Sequence, residues 1–153
     1  MFLLLMGCGG KDAVSSDGET WTDYGGPAGR LLTYYTDVDT AGGGMAVHIE
    51  EDRWDVTEIG GDEILSTYAI ADRDGLRLGD DLLLPDPLTE GAVKDGVTVV
   101  GFGPREVWYG NFPKTVEVRR EDGAWSGSQV FALDVGPIYL TLDGASWQLA
   151  GYE

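Results

Sequence analysis

After residue 30 the chain contains four Asp-Gly pairs, at 74–75, 95–96, 122–123 and 143–144, each set between runs of β-branched and aromatic residues. Asp-Gly is the strongest short-range hairpin signal, because a two-residue type I′ turn needs positive φ at both central positions and these residue types tolerate it. A chain punctuated this way is expected to fold as a succession of antiparallel hairpins. The 24 glycines among 153 residues, with only six prolines, agree with many tight turns and show no three-residue period of the collagen kind. From Leu31 onward the apolar runs are short, and no window carries the 3.6-residue period of an amphipathic helix.

The last Asp-Gly pair predicts a register. If Asp143-Gly144 is a two-residue loop, Leu142 faces Ala145, Leu140 faces Trp147 and Ile138 faces Leu149, an apolar set. Thr141 opposite Ser146 and Tyr139 opposite Gln148 then form the other face. The same treatment of Asp122-Gly123 puts Val116, Val118, Trp125, Phe131 and Leu133 on one side and Glu117, Arg119, Ser126 and Ser128 on the other, with Arg120 and Gln129 as polar exceptions on the apolar face. Further strands are expected at 31–37, 46–50, 54–59, 63–71, 76–78, 97–102 and 106–109. The segment Leu82 to Leu88 carries Pro85 and Pro87 and is expected to be an extended crossing rather than a central strand. The fold class is therefore all-β: a curved antiparallel sheet of about eight to ten strands closing around its own core as a half-barrel, an up-and-down barrel or a two-sheet sandwich.

Ten Lys plus Arg against 27 Asp plus Glu leave a net charge of -17. That field repels phosphates and anionic lipid surfaces, which excludes nucleic acid as a partner. The single cysteine, Cys8, ends the apolar run Met1 to Gly7. Leu5-Met6-Gly7-Cys8 resembles the lipobox of bacterial lipoproteins, in which the Cys thiol takes a diacylglycerol; the alternative is an ordinary apolar Cys in a buried N-terminal turn. No Lys or Arg precedes Cys8, and the apolar stretch is shorter than the roughly 7 to 15 residues of a secretory h-region, so residues 1–8 are expected to be the end of a longer leader. Seven residues are far short of the ~20 needed to span a bilayer, so contact with a membrane would run through a lipid on Cys8. Gly9 stands where the resemblance would put the Asp of an inner-membrane retention signal, which favours the outer membrane. Residues 9–28 are rich in Ser, Asp, Gly and Thr, offer only Trp21 and Tyr24 for burial, and are expected to be an acidic tether before a single β domain at 29–153.

Asp74-Gly75-Leu76, Leu84-Pro85-Asp86-Pro87-Leu88 with Gly91, Tyr109-Gly110-Asn111-Phe112 leading into Val116-Glu117-Val118, and Phe131-Ala132 with Val135-Gly136-Pro137-Ile138 resemble, in order and spacing, a broad group of uncharacterised bacterial envelope lipoproteins. The resemblance implies a curved antiparallel, half-barrel-like domain in the envelope of a Gram-negative bacterium, on the periplasmic side or the surface. It supplies no active-site residues.

Catalytic chemistry finds little support. His48 is the only imidazole, reads as the polar face of a strand, and has neither a Gly-x-Ser-x-Gly turn nor a second cysteine to pair with. Zinc would need more Cys and His than one of each. Asp37-Val38-Asp39 and Asp72-Arg73-Asp74 alternate carboxylates without the rest of a calcium loop, and Gly42-Gly43-Gly44 lacks the Lys of a phosphate loop. No acidic pair is singled out for glycosidase work. Trp54, Trp108, Trp125 and Trp147 fall at strand positions that suit a core, or stacking on sugars or lipid chains. The expectation is a non-catalytic binding or structural module without cofactor or metal, holding an apolar ligand or an envelope-protein segment. The alternatives are a carboxylate-dependent envelope hydrolase and a purely structural component whose barrel is filled by its own Trp and Leu side chains.

Overall fold

The computed structural model describes residues 20–36, 44–58, 63–71 and 75–153. One helical turn, α1 (Trp21–Tyr24), precedes twelve strands: β1 (Leu31–Thr36), β2 (Gly44–Ile49), β3 (Arg53–Glu58), β4 (Ile64–Ala71), β5 (Gly75–Leu78), β6 (Asp81–Pro85), β7 (Val93–Lys94), β8 (Val97–Val107), β9 (Gly110–Arg120), β10 (Gly127–Ala132), β11 (Gly136–Leu142) and β12 (Ala145–Tyr152). They form one antiparallel sheet in the order β6-β5-β4-β3-β2-β1-β12-β11-β10-β9-β8-β7. Every strand lies beside its sequence neighbours, β12 returns to pair with β1, and only β6 and β7, consecutive in the chain, share no ladder. The result is an up-and-down barrel, closed by backbone hydrogen bonds everywhere except at one seam.

The expected turns are confirmed where two-residue loops form. Asp143 and Gly144 have φ of 51° and 84°, and Asp95 and Gly96 have 50° and 81°, the positive pair that a type I′ turn requires. The predicted pairing from Tyr139↔Gln148 to Leu142↔Ala145 is observed. It stops before Ile138 and Leu149; one residue beyond, Pro137 has no N–H with which to extend the ladder. Asp122-Gly123 behaves differently. The pairing runs Arg120↔Gly127 and Val118↔Gln129, two residues out of the expected register, so residues 121–126 form a longer loop. A shift of two keeps every side chain on its expected face. The extra length lets Trp125 drop into the barrel, edge-to-face against Trp54 at 5.9 Å and Tyr68 at 5.1 Å between centroids.

Alternation sets the core. Leu32, Tyr34, Val47, Trp54, Leu82, Val99, Val116, Val118, Phe131, Ile138, Leu140 and Leu149 are fully buried from all sides of the barrel. Gln129, the polar exception, is also fully buried. It donates to the carbonyls of Trp125 and Thr141 and accepts from the Thr141 N–H at 2.9 Å, so its amide ties the Trp125 loop to β11. Arg120, the other exception, is the seam's clasp. From β9 it donates through Nη1 to Leu82 O of β6 and Asp95 O of the β7–β8 turn, and through Nε to Asp122 O, while Nη2 pairs with the carboxylates of Asp81 and Asp122 at 3.2 Å. Arg77 on β5 reaches the Asp95 carboxylate and Asp80 O.

Twelve strands stand in place of the expected eight to ten: β6 and β7, the two at the seam, have no counterpart among the expected strands, and those expected at 97–102 and 106–109 are one continuous strand, β8. Residues 82–85 of the expected crossing segment 82–88 belong instead to the edge strand β6, which ends at Pro85, and the crossing itself is 86–92; an edge is where proline is tolerated. Cys8 and residues 9–19 of the expected tether lie outside the described residues, as do Asp37 to Gly43 and Asp72 to Asp74. Residues 20–28 are described, and there the expected boundary at 29 moves upstream. Tyr24 is 2% exposed, its ring meets Phe102 at 6.2 Å, and the Asp134 N–H donates to Asp23 O. Gly26, at φ 92°, lies so near Gly136 that an added Cβ would be 3.1 Å from its Cα. The turn thus stoppers one end of the barrel, because a barrel end otherwise exposes its innermost apolar residues.

Two outcomes follow. Arg120→Met leaves several carbonyls and a half-buried carboxylate without a donor at the seam, and should lower the unfolding free energy by about 3 kcal/mol in urea titration, with Arg120→Lys recovering less than half because one ammonium cannot reach all the acceptors. Burial pushes the Tyr34 phenol well above its ordinary value, and its O–H donates to Pro137 O at 2.8 Å. A folded-state pKa above the unfolded one means stability that is complete below about pH 10 and lost as pH rises beyond it. Alkaline unfolding should therefore move to higher pH in Tyr34→Phe, even though that variant is about 1 kcal/mol less stable at neutral pH.

Candidate functional site

The β8–β9 hairpin is longer than the strands around it. β10 accompanies β9 only from Thr115 to Arg120, so residues 103–114 form a two-stranded arm with Arg105↔Phe112, Glu106↔Asn111 and Val107↔Gly110 paired. Two register shifts, at Val99/Gly101 and Gly103/Arg105, bend the hairpin where the arm begins. Beyond the bend it lies on the outer side of the barrel. Glu117, Val130 and Tyr139 form an outward-facing row across β9, β10 and β11. The Arg105 guanidinium is 3.5 Å from the Glu117 carboxylate and 5.5 Å from the Tyr139 ring centroid, and so spans Val130, which is fully buried although it points away from the core. Val107 and Phe112, 6% and 8% exposed, are buried with the arm.

The arm ends in the turn Trp108–Tyr109, which reaches β12 and β1. The Trp108 N–H donates to Gln148 Oε1 at 3.2 Å and the Tyr109 N–H to Leu149 O at 3.1 Å. The Trp108 ring lies 6.1 Å from Tyr35, the Tyr109 ring 5.2 Å from Tyr152 and 6.2 Å from Phe112, and the Arg30 guanidinium covers Tyr152 at 4.8 Å. Trp108, Tyr109 and Tyr35 are nevertheless 57%, 49% and 45% exposed. Beside them is an open groove of about 270 Å³ lined by Leu31, Thr33, Tyr109, Gly151, Tyr152 and Glu153. Aromatic faces left in water at adjoining positions are uncommon on a monomeric surface and mark a binding face.

Of the four tryptophans considered from sequence, Trp54 and Trp125 belong to the core and Trp147 packs against it, while Trp108 is the exposed one. Tyr35, Tyr109 and Tyr152 were missed. The only hint was the Trp108-Tyr109 pair before Gly110, which reads equally well as a strand end.

His48 lies on β2 opposite Asp55 of β3, which in turn faces Thr67 of β4. The carboxylate stands between imidazole and hydroxyl, the reverse of the order in which a base takes a nucleophile's proton. Asp55 accepts instead from Arg53 Nε and from the Thr67 hydroxyl at 2.9 Å, and the hydrogen bond and charge of Asp55, with Asp52 beside it, raise the Arg53 pKa. A groove of about 420 Å³ beside α1 has apolar walls including Trp21, Trp54, Ile70 and Leu76 and carries two carboxylates, Glu50 and Glu51. Both come from one turn, whereas glycoside hydrolysis uses carboxylates facing each other across the bond. Among the described residues no group of three or more His, Cys, Asp or Glu is gathered to hold a metal.

The arm's attachment is testable. In Arg105→Ala the Tyr109 amide should exchange with deuterium roughly tenfold faster while the Leu140 amide is unchanged, because the arm opens locally without the barrel. Equal rates in the variant and the parent would show that Arg105 does not hold it. Compared with protein-family models, with curated proteins and with solved structures, the chain matches none.

Proposed function

We propose that the protein is a non-catalytic lipoprotein of the Gram-negative cell envelope, carrying diacylglycerol on Cys8 and binding its partner on the outer surface of the barrel at the arm tip. The observation that carries this reading is the contrast between the two faces of the sheet. Inside, Trp54, Trp125, Phe131 and Tyr34 share the core with Leu32, Leu82, Leu83, Leu84 and Leu140 with no exposure, so an apolar ligand held there would have to displace the barrel's own side chains. Outside, aromatic rings are presented to solvent on a turn tied down by two hydrogen bonds. Preorganised aromatic surface is what a binding face uses, because little conformational freedom is lost on contact. The lipobox-like Leu5-Met6-Gly7-Cys8 and the resemblance to envelope lipoproteins support the anchoring half of the proposal.

With the chain expressed in a Gram-negative host behind a complete lipoprotein leader, a radiolabelled fatty acid should enter the protein and remain in the outer-membrane fraction. Cys8→Ser should lose the label and release the protein from membranes. Label that survives Cys8→Ser would remove the anchor from the proposal, and turnover of an envelope polysaccharide abolished by a single acidic substitution would remove its non-catalytic half.

A further inference from the structure

We infer that the arm tip is a saccharide-binding site that takes an uncharged pyranose glycan, with one sugar ring in the groove beside the touching Tyr109 and Tyr152 rings and the neighbouring units across Trp108 and Tyr35. The inference rests on the outer-surface reading above and gives its ligand a chemical class. The groove, about 270 Å³, is just under the roughly 300 to 1,000 Å³ of a drug-sized site, so it accommodates a ring-sized unit rather than a long chain. Tyr109 lines it, and Trp108 and Tyr35 stand beside it; all three are about half exposed, and the negative quadrupole of an exposed aromatic ring attracts the weakly positive C–H face of a pyranose. Its rim provides the Thr33 hydroxyl and the Glu153 carboxylate, groups that hydrogen-bond sugar hydroxyls.

The same surroundings argue against other occupants. A net charge of -17 disfavours an anionic polymer or a phospholipid headgroup. The groove contains one aliphatic side chain, Leu31, too little for an acyl chain. An extended peptide adds to a sheet through a free edge, but β1 is paired with β2 and β12, and β12 with β1 and β11, so neither strand offers one. Flat rings held at fixed orientation, one acidic rim group and no free backbone edge together describe a site for neutral sugar faces.

The test is calorimetric titration of the purified full chain with chitohexaose and cellohexaose, accompanied by tryptophan fluorescence. One of the two should bind one-to-one and shift the emission; Trp108→Ala should weaken it about tenfold or more, Trp108→Phe should restore most of the loss, and a sulfated oligosaccharide should not bind. Tyr109→Thr is the second variant, and both are checked for an unchanged melting temperature. The inference is overturned if neither hexasaccharide binds, or if binding is the same in Trp108→Ala and Tyr109→Thr. Failure of both saccharides while Trp108→Ala still weakens binding of the unlipidated Cys8→Ser protein to isolated envelope material removes the glycan and leaves the outer-surface reading standing. Binding of that unlipidated form indifferent to Trp108 removes both.

Discussion

Eleven of the junctions around this barrel are backbone ladders, and the twelfth is made by side chains. Between β6 and β7 the sheet presents two edges that do not pair, and an unpaired edge is both a loss of hydrogen bonds and a template for another chain. Arg120 and Arg77 close it. A guanidinium carries five donors in a planar fork, so Arg120 satisfies acceptors on β6, on the β7–β8 turn and on the 121–126 loop simultaneously. The buried Leu82 and Leu84 of the edge strand depend on that closure, since without it their face of the interior would open to water.

The basic residues are few, and the described arginines are concentrated at joints. Arg77 and Arg120 bridge the seam, Arg105 fastens the arm to Glu117, Arg53 binds Asp52 of the preceding turn and Asp55 of β3, and Arg119 lies beside Glu117. In a chain with 27 carboxylates, each cation placed between two segments relieves repulsion there and supplies directional bonds. The exposed pairs contribute little individually. The pair with mostly buried donors, at the seam, is the one on which closure turns.

The barrel has two apolar layers with different consequences. The inner layer follows from strand alternation and is filled. The outer layer exists because the β8–β9 hairpin outruns its neighbours and folds back over β10 to β12, covering Val130 and Tyr139 and delivering Trp108 and Tyr109 to β1. A rigid barrel below and a tethered turn above hold the exposed rings in place, which is the condition for recognising a ligand by ring stacking.

What the sequence determined by itself was local. Asp-Gly at 95–96 and 143–144 dictates type I′ turns, because few other pairs accept positive φ twice, and alternation around 143–144 then assigned Leu140 inward and Thr141 outward. Pro85 and Pro87 kept their segment out of the sheet's interior for want of an N–H. The 121–126 loop escaped because a register shift of two preserves every face, so the residue pattern reads alike for a two-residue turn and for the longer loop. Tyr24 read as tether because a single aromatic in a polar stretch has no period; only the open barrel end explains its burial. The seam and the arm tip were likewise beyond sequence. Arg120 and Gln129 stood out as polar residues on an apolar face, yet their acceptors on other strands, Leu82 and Thr141, lie 38 and 12 residues away, and the aromatic cluster joins Tyr35 to Trp108 across 73 positions. Such contacts depend on how the sheet curves and closes, and that is set by the whole chain's packing rather than by any local preference.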